Sequence, residues 1–311
     1  MGLQFVQSHS IDLLFDFAEI YLSSFMPGHL HIGTCSWKYP SWEGLVYTSN
    51  KPENFLQEYA QKYKSVEIDQ WFWSLFGIDK VVLPKAEVVQ EYASSVPEDF
   101  RFVIKAPNSL SLTHLYKSHS VGELVANPHF LSPELYKAFL GTLGAIHPQI
   151  GAINLQFEYL NKLKMPSPQL FFEQLVNFLK SIDTSIPLCI ELRNPNFLND
   201  GYFKILAEHN IGNTFCQGYY MPGIQEVYTN HAHLLHGTSI VRLLGPDRQG
   251  IEKTTGKKWD KIVAPRDSEI PGIARLVRKM VDQSGMDVYL NVNNHYEGSA
   301  PITIEKLLQF L

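Results

Sequence analysis

Several β-length apolar runs in this chain carry charged or amide residues on one face only, close to the end of the run. Val66-Glu67-Ile68-Asp69, Cys189-Ile190-Glu191-Leu192-Arg193 and Tyr289-Leu290-Asn291-Val292-Asn293 all follow this pattern. A parallel strand covered by helices is buried on both faces and normally reads as a nearly unbroken apolar run. Side chains alternate along a strand, so polar residues two apart point into one shared interior. Buried polar groups are costly unless partnered, and the pattern therefore calls for separate strands that converge on a common polar centre.

Strand-like runs recur near residues 30–35, 65–69, 100–105, 150–157, 187–193, 211–216, 239–244 and 286–293. Helical patterns fall between most of them, at 52–63, 84–96, 132–146, 168–180, 199–208, 270–284 and 301–311. Ser132-Pro133 and Ser167-Pro168 set a capping hydroxyl before a proline at the first helical position, and Pro52-Glu53 and Pro84 open two further helices. Regular alternation of strand and helix predicts a parallel α/β sheet. Eight such units need ~250 residues when closed into a barrel, and the chain has 311. The expected fold is an α/β, TIM-like (β/α)8 parallel barrel with an extra N-terminal helix. That helix is read from Ile11, Leu14, Phe15, Ala18 and Leu22, which repeat at helical spacing. The expected organisation is an N-terminal helical extension, 1–29, packed on a single barrel domain, 30–311. Two long stretches, 218–238 and 246–262, follow the sixth and seventh strands, on the side where barrel enzymes carry their working loops.

Composition excludes several classes. With 45% hydrophobic and 18% charged residues the chain reads as globular and soluble, and a formal charge of -5 argues against nucleic acid as a partner. Cys35, Cys189 and Cys216 are widely spaced within or beside apolar runs, which predicts reduced, packed thiols and a cytoplasmic location. The first 25 residues carry Asp12, Asp16 and Glu19. They lack both a basic leader and an apolar run of ~20 residues, so no signal peptide and no membrane partner is expected.

A series of short motifs adds a resemblance. Ile32-Gly33-Thr34-Cys35-Ser36-Trp37, with Tyr39, Trp42, Gly44 and Tyr47, is followed by Val66-Glu67-Ile68-Asp69 and by Asp99-Phe100-Arg101-Phe102 with Lys105. Thr113-His114, Leu155-Gln156-Phe157, Glu191-Leu192-Arg193, Val241-Arg242-Leu243 and Asn293-Asn294 come next in order. From about residue 30 to the C-terminus the chain resembles the YecE-like family, domain of unknown function 72. The resemblance implies a TIM-barrel-like fold and supplies no reaction. It also has departures. The family's Asn-Ser-Thr-Phe-Tyr stretch is replaced by Asp69, Gln70, Trp71, Phe72 and Trp73, and its Arg-Leu-His-Gly is Arg242-Leu243-Leu244-Gly245 here.

The residues themselves nominate a site. Glu67 and Asp69 share a face, as do Glu191 and Arg193, and as do Arg101 and Lys105, while Arg242 is the sole charge of its strand. Neighbouring carboxylates can be driven to different pKa values and divide acid and base roles. The candidate catalytic set is Glu67, Asp69, Lys105, Glu191 and Arg193. Three of these are negative and, with Arg242, three charges are positive, so a purely structural buried network is the competing reading. Trp37, His114, Gln156, Arg242, Asn291, Asn293 and Asn294 are candidates for substrate contact, the amides through both of their polar atoms. Trp37, Tyr39, Trp42, Trp71, Phe72 and Trp73 could wall a mouth suited to flat ligands. Gly245, Arg248, Gly250, Lys253, Gly256, Lys257 and Lys258 follow the seventh strand, where many barrels hold phosphate.

These residues favour an enzyme of lyase, isomerase or hydrolase type. It would act by general acid–base chemistry on a small polar or anionic ligand, sugar-like or phosphorylated, with no cofactor. One alternative is a metal-assisted phosphoester hydrolase acting on nucleic acid. The spacing of His231, His233 and His236 is not a recognised zinc signature, which leaves a divalent metal as a minor reading. A non-catalytic ligand-binding or scaffold barrel is the third.

Overall fold

The computed structural model describes residues 27–115 and 124–311. The helix expected between residues 11 and 22, and with it the N-terminal extension as far as residue 26, lies outside the described residues. Ten strands are described: β1 Leu30–Thr34, β2 Ser65–Ile68, β3 Leu75–Gly77, β4 Lys80–Val81, β5 Arg101–Lys105, β6 Ile150–Gln156, β7 Leu188–Glu191, β8 Gly212–Gly218, β9 Thr238–Gly245 and β10 Asp287–Val292. Eight of them close into a parallel barrel in the order β1-β10-β9-β8-β7-β6-β5-β2. The small antiparallel pair β3–β4 is inserted between β2 and β5, and nothing in the periodicity announced it.

Helix starts follow local chemistry. Ser132 Oγ accepts from the Leu135 amide at 3.1 Å, and Ser167 Oγ from Leu170 at 3.2 Å, ahead of prolines at the first helical turn. The helix expected to open at Pro52-Glu53 begins at Phe55 instead. Asn54 is its cap, accepting from the amides of Leu56 and Gln57 at 2.9 and 3.1 Å. The two long stretches are not irregular throughout, because they hold helices at Ile224–His231 and Arg248–Thr255. The latter is capped by Asp247, whose Oδ1 accepts from the Gly250 amide at 2.9 Å, and it closes on Gly256 at φ 58°.

The barrel interior is layered. Val103, Ala152, Cys189, Ile240 and Tyr289 form an apolar plug, with His31 stacked on Tyr289 at 4.6 Å. One pleat further toward the strand C-termini the inward positions become Glu67, Asn154, Glu191, Thr214, Arg242 and Asn291. The opposite faces of the same strands bury Val66, Ile68, Ile104, Leu155, Ile190, Val241, Leu243, Leu290 and Val292 in the main core. Each large aliphatic side chain buried there stabilises by roughly 1.5–3 kcal/mol. This outer layer is what allows the inner one to be polar.

Candidate active site

Strand pairing sets which polar side chains meet. Arg242 on β9 is in register with Asn291 on β10 and Cys216 on β8, while Lys105 pairs with Asn154 and Gln156 with Glu191. Arg242, 4% exposed, lies among these residues. Its Nε and Nη2 donate to the two oxygens of Glu67 at 2.8 and 2.7 Å, a bidentate pairing. Its Nη1 donates to both oxygens of Glu191, at 3.0 and 2.9 Å, and to Gln156 Oε1 at 3.3 Å. Glu191 also accepts from Arg193 Nη2 and, at 2.8 Å, from Asn154 Nδ2. Asn154 is itself held by the Thr214 hydroxyl at 3.0 Å. Both glutamates are fully buried.

These partners split the two carboxylates. Burial pushes both upward, but Arg193, Arg242 and Lys105 together overcome it at Glu191 and hold it down to about 2. At Glu67 desolvation prevails over the attraction of Arg242 and Lys105, and its pKa lies above the ordinary carboxylate range. Asp69 is raised for the same reason, against the pull of Lys105 and Arg242.

Above this layer opens a hollow of about 390 Å³. Its floor and walls include Asp69, Lys105, Gln156, Arg193, Arg242 and Asn293, with Arg248 and His295 from the loops after β9 and β10 and with Tyr39, Phe72, Trp73 and Tyr219 as aromatic walls. Five of the nominated side chains on β5–β10 and the segments just beyond them therefore share one space with Asp69. Glu67 and Glu191 do not line it; they sit beneath it, sealed by the Arg242 guanidinium. Asn291 lies with them, its Nδ2 3.5 Å from Glu67 and its buried Oδ1 without a partner among the described residues.

Three nominated residues fall elsewhere. Trp37 is buried edge-on against Tyr92, at 5.1 Å between rings, in the packing behind β1. His114 bonds Thr113 Oγ1 at 2.9 Å and belongs to an isolated bridge with Ala126. Asn294 turns back to accept from the Ala300 amide at 2.9 Å, which fixes the start of the last helix. His231 stacks on Phe203 at 4.1 Å. Among the described residues no group of three or more His, Cys, Asp or Glu is arranged to hold a metal ion.

Asn154, Thr214, Glu158 and Tyr219 were not anticipated. Asn154 precedes Gln156 by two residues on one strand, so the alternation rule alone could have found it. Tyr219 and Tyr220 stand at φ 51° and 63°, a left-handed pair directly after β8. Such strain collects at functional loops, but no residue type betrays it.

Comparison with known proteins adds the lineage. Residues 31–311 match the family described as "Protein of unknown function DUF72". The chain belongs to the DUF72 family. A curated relative, the UPF0759 protein YecE of Escherichia coli, is 27% identical over 173 residues, which cover 55% of this chain and 51% of YecE. The chain thus spans about half the length of the curated relatives it matches. A DUF72 family protein of Enterococcus faecalis superposes with a TM-score of 0.63 at 21% identity, covering 91% of this chain and 95% of that one. A DUF72 family protein of Thermotoga maritima gives 0.63 at 17% identity, covering 90% and 97%. At these identities the likeness establishes the TIM-barrel-like fold. Within this DUF72 barrel, Leu244 occupies the position where the family resemblance anticipated histidine. It packs with Cys35 and Cys216 and itself lines the hollow. No described helix is long and apolar enough to cross a membrane.

Proposed function

We propose that the barrel mouth is an active site for a small polar, anionic substrate, sugar-like or phosphorylated, worked on by general acid–base chemistry. One observation carries the reading: Lys105 and Arg193 line the hollow, and the Lys105 ammonium and Arg193 Nε have no oxygen to receive them among the described residues, although Arg193 Nη2 is held by Glu191. Lys105 makes no hydrogen bond and meets no carboxylate within 4 Å among the described residues, and Arg193 Nε is buried without a partner. A buried donor without an acceptor, as at Arg193 Nε, is rare, and a ligand rich in oxygen acceptors would satisfy it together with the Lys105 ammonium. Asp69 is the proton carrier that this reading favours. It borders the hollow, and desolvation lifts its pKa above the ordinary carboxylate range. Glu67 and Glu191 then act from below: they fix the Arg242 and Arg193 guanidinium groups and so preorganise the positive side of the mouth.

The test is a panel of phosphorylated sugars and sugar acids followed by proton NMR, with binding measured in parallel by calorimetry. The wild type is expected to convert at least one member. Asp69→Asn should keep binding and lose conversion, whereas Arg193→Ala should weaken binding. Full conversion by Asp69→Asn, or no binding by the wild type across the panel, would overturn the proposal.

A further inference from the structure

Lys105 differs from the other partly or fully buried lysines of the described chain in having no acidic neighbour in contact. Lys164 is paired with Glu158, and Lys306 with Asp267 and Glu297 at 2.7 and 2.9 Å. Lys105 is 8% exposed at the last position of β5, yet among the described residues its ammonium nitrogen meets only the face of Phe72, 3.9 Å from the ring centroid. A lysine whose task were to neutralise a fixed carboxylate would be expected in ion-pair contact with one. This one is desolvated, carried on a rigid strand end, and borders the hollow beside the Arg242 guanidinium. Desolvation next to a second cation is how proteins keep a lysine amine uncharged and nucleophilic. Burial first, and Arg242 second, lower its pKa against the attraction of Glu67, Glu191 and Asp69.

We infer that Lys105 is a covalent catalytic residue that forms an imine with a small aldehyde or ketone bearing an anionic group. The inference rests on the reading of the mouth as an active site and narrows its substrate class to carbonyl compounds. The free amine of Lys105 attacks the carbonyl carbon, a C–N bond forms, and the carbonyl electron pair moves to oxygen, which takes a proton from the Asp69 carboxylic acid. The resulting carbinolamine, still an ammonium at nitrogen, passes one nitrogen proton to that hydroxyl, which leaves as water to give the protonated imine. Asp69, now a carboxylate, takes a proton from the adjacent carbon, whose C–H electron pair forms the enamine, and returns that proton to the carbon skeleton to regenerate the protonated imine. Water reverses the first sequence to release product and restore the amine, so no oxidant or reductant is consumed. Arg193 and Arg248 are placed to receive the anionic group.

The full chain is incubated with glyceraldehyde 3-phosphate, dihydroxyacetone phosphate or pyruvate in the presence of sodium cyanoborohydride, which reduces an imine to a stable secondary amine. Mass spectrometry of the proteolysed protein then locates the adduct. One adduct per chain is expected on the Lys105 peptide, suppressed by excess glycerol 3-phosphate for the phosphates and by excess lactate for pyruvate, since both lack the carbonyl. Lys105→Arg and Lys105→Met should lose it while retaining the wild-type far-UV spectrum. Because the wild-type peptide map alone locates the adduct, a variant that failed to fold would not blunt the test. Adducts scattered over surface lysines, or none, would overturn the imine. If glycerol 3-phosphate or lactate still raised the melting temperature in that case, the anionic site would survive without it. If neither bound, the reading of the mouth itself would fall.

Discussion

Replacing Arg242 with methionine removes the group that joins both buried glutamates. Glu191 would keep its bonds from Arg193 and Asn154, but Glu67 would retain only Asn291 at 3.5 Å. The cost is therefore concentrated on Glu67, a fully buried carboxylate left without its bidentate partner. Breaking a buried pair from one side costs about 3–5 kcal/mol. Against a total stability of ~5–15 kcal/mol this is a large share, and with m near ~3 kcal/mol/M it lowers the urea midpoint by more than ~1 M. The pH dependence supplies a second, independent sign. In the wild type Glu191 is held at about 2, below its ordinary 4.5, so its stabilisation is present above 4.5 and is lost as pH falls through about 2. Glu67 is raised already, and without Arg242 it rises further, so the folded variant takes up a proton that the unfolded chain does not. The gap between wild type and variant must narrow as pH is lowered toward the ordinary carboxylate range. Urea titrations at several pH values, with m compared between the two proteins, measure both effects. A loss below ~1 kcal/mol, or a gap that does not change with pH, would refute the reasoning, because a mere packing defect has no proton linkage.

Three further outcomes are expected. Glu67→Gln should cost roughly 3 kcal/mol in chemical denaturation, since it breaks the same bidentate pair from the other side; melting indistinguishable from wild type would mean that the pair is energetically idle. Asn294→Ala should cost ~1 kcal/mol by freeing the Ala300 amide, and should leave ligand affinity in the mouth unchanged by calorimetry. Gly245→Ala forces a side chain into φ 73°, where a Cβ would lie 2.4 Å from the His295 carbonyl oxygen. It should destabilise by ~1–3 kcal/mol or more, and a change within ~0.5 kcal/mol would show that the loop yields.

The polar face that nominated Glu67, Asp69, Glu191, Arg193, Asn291 and Asn293 is a property of alternation, and it was legible because a two-residue period survives any change of context. The same rule applied to β6 would have added Asn154. Depth is different. Alternation along a strand places the more C-terminal Asp69 nearer the mouth than Glu67, as the structure has it, but that Glu67 is fully buried beneath a guanidinium could not be read from it. Asn293 and Asn294 are adjacent, yet one borders the hollow and the other anchors a helix.

By itself the sequence determined that eight strands alternate with helices, that their outer faces are apolar, and that charge is confined to inward positions near their ends. Those are local consequences of pleat, helical period and the cost of burying unpartnered charge. Only the tertiary structure decided that Arg242 would reach Glu67 and Glu191 at once, across strands 175 and 51 residues apart in the chain. It also decided that Lys105 would lie against a phenyl ring instead of a carboxylate. Barrel closure and stagger set those distances, and they depend on every strand together.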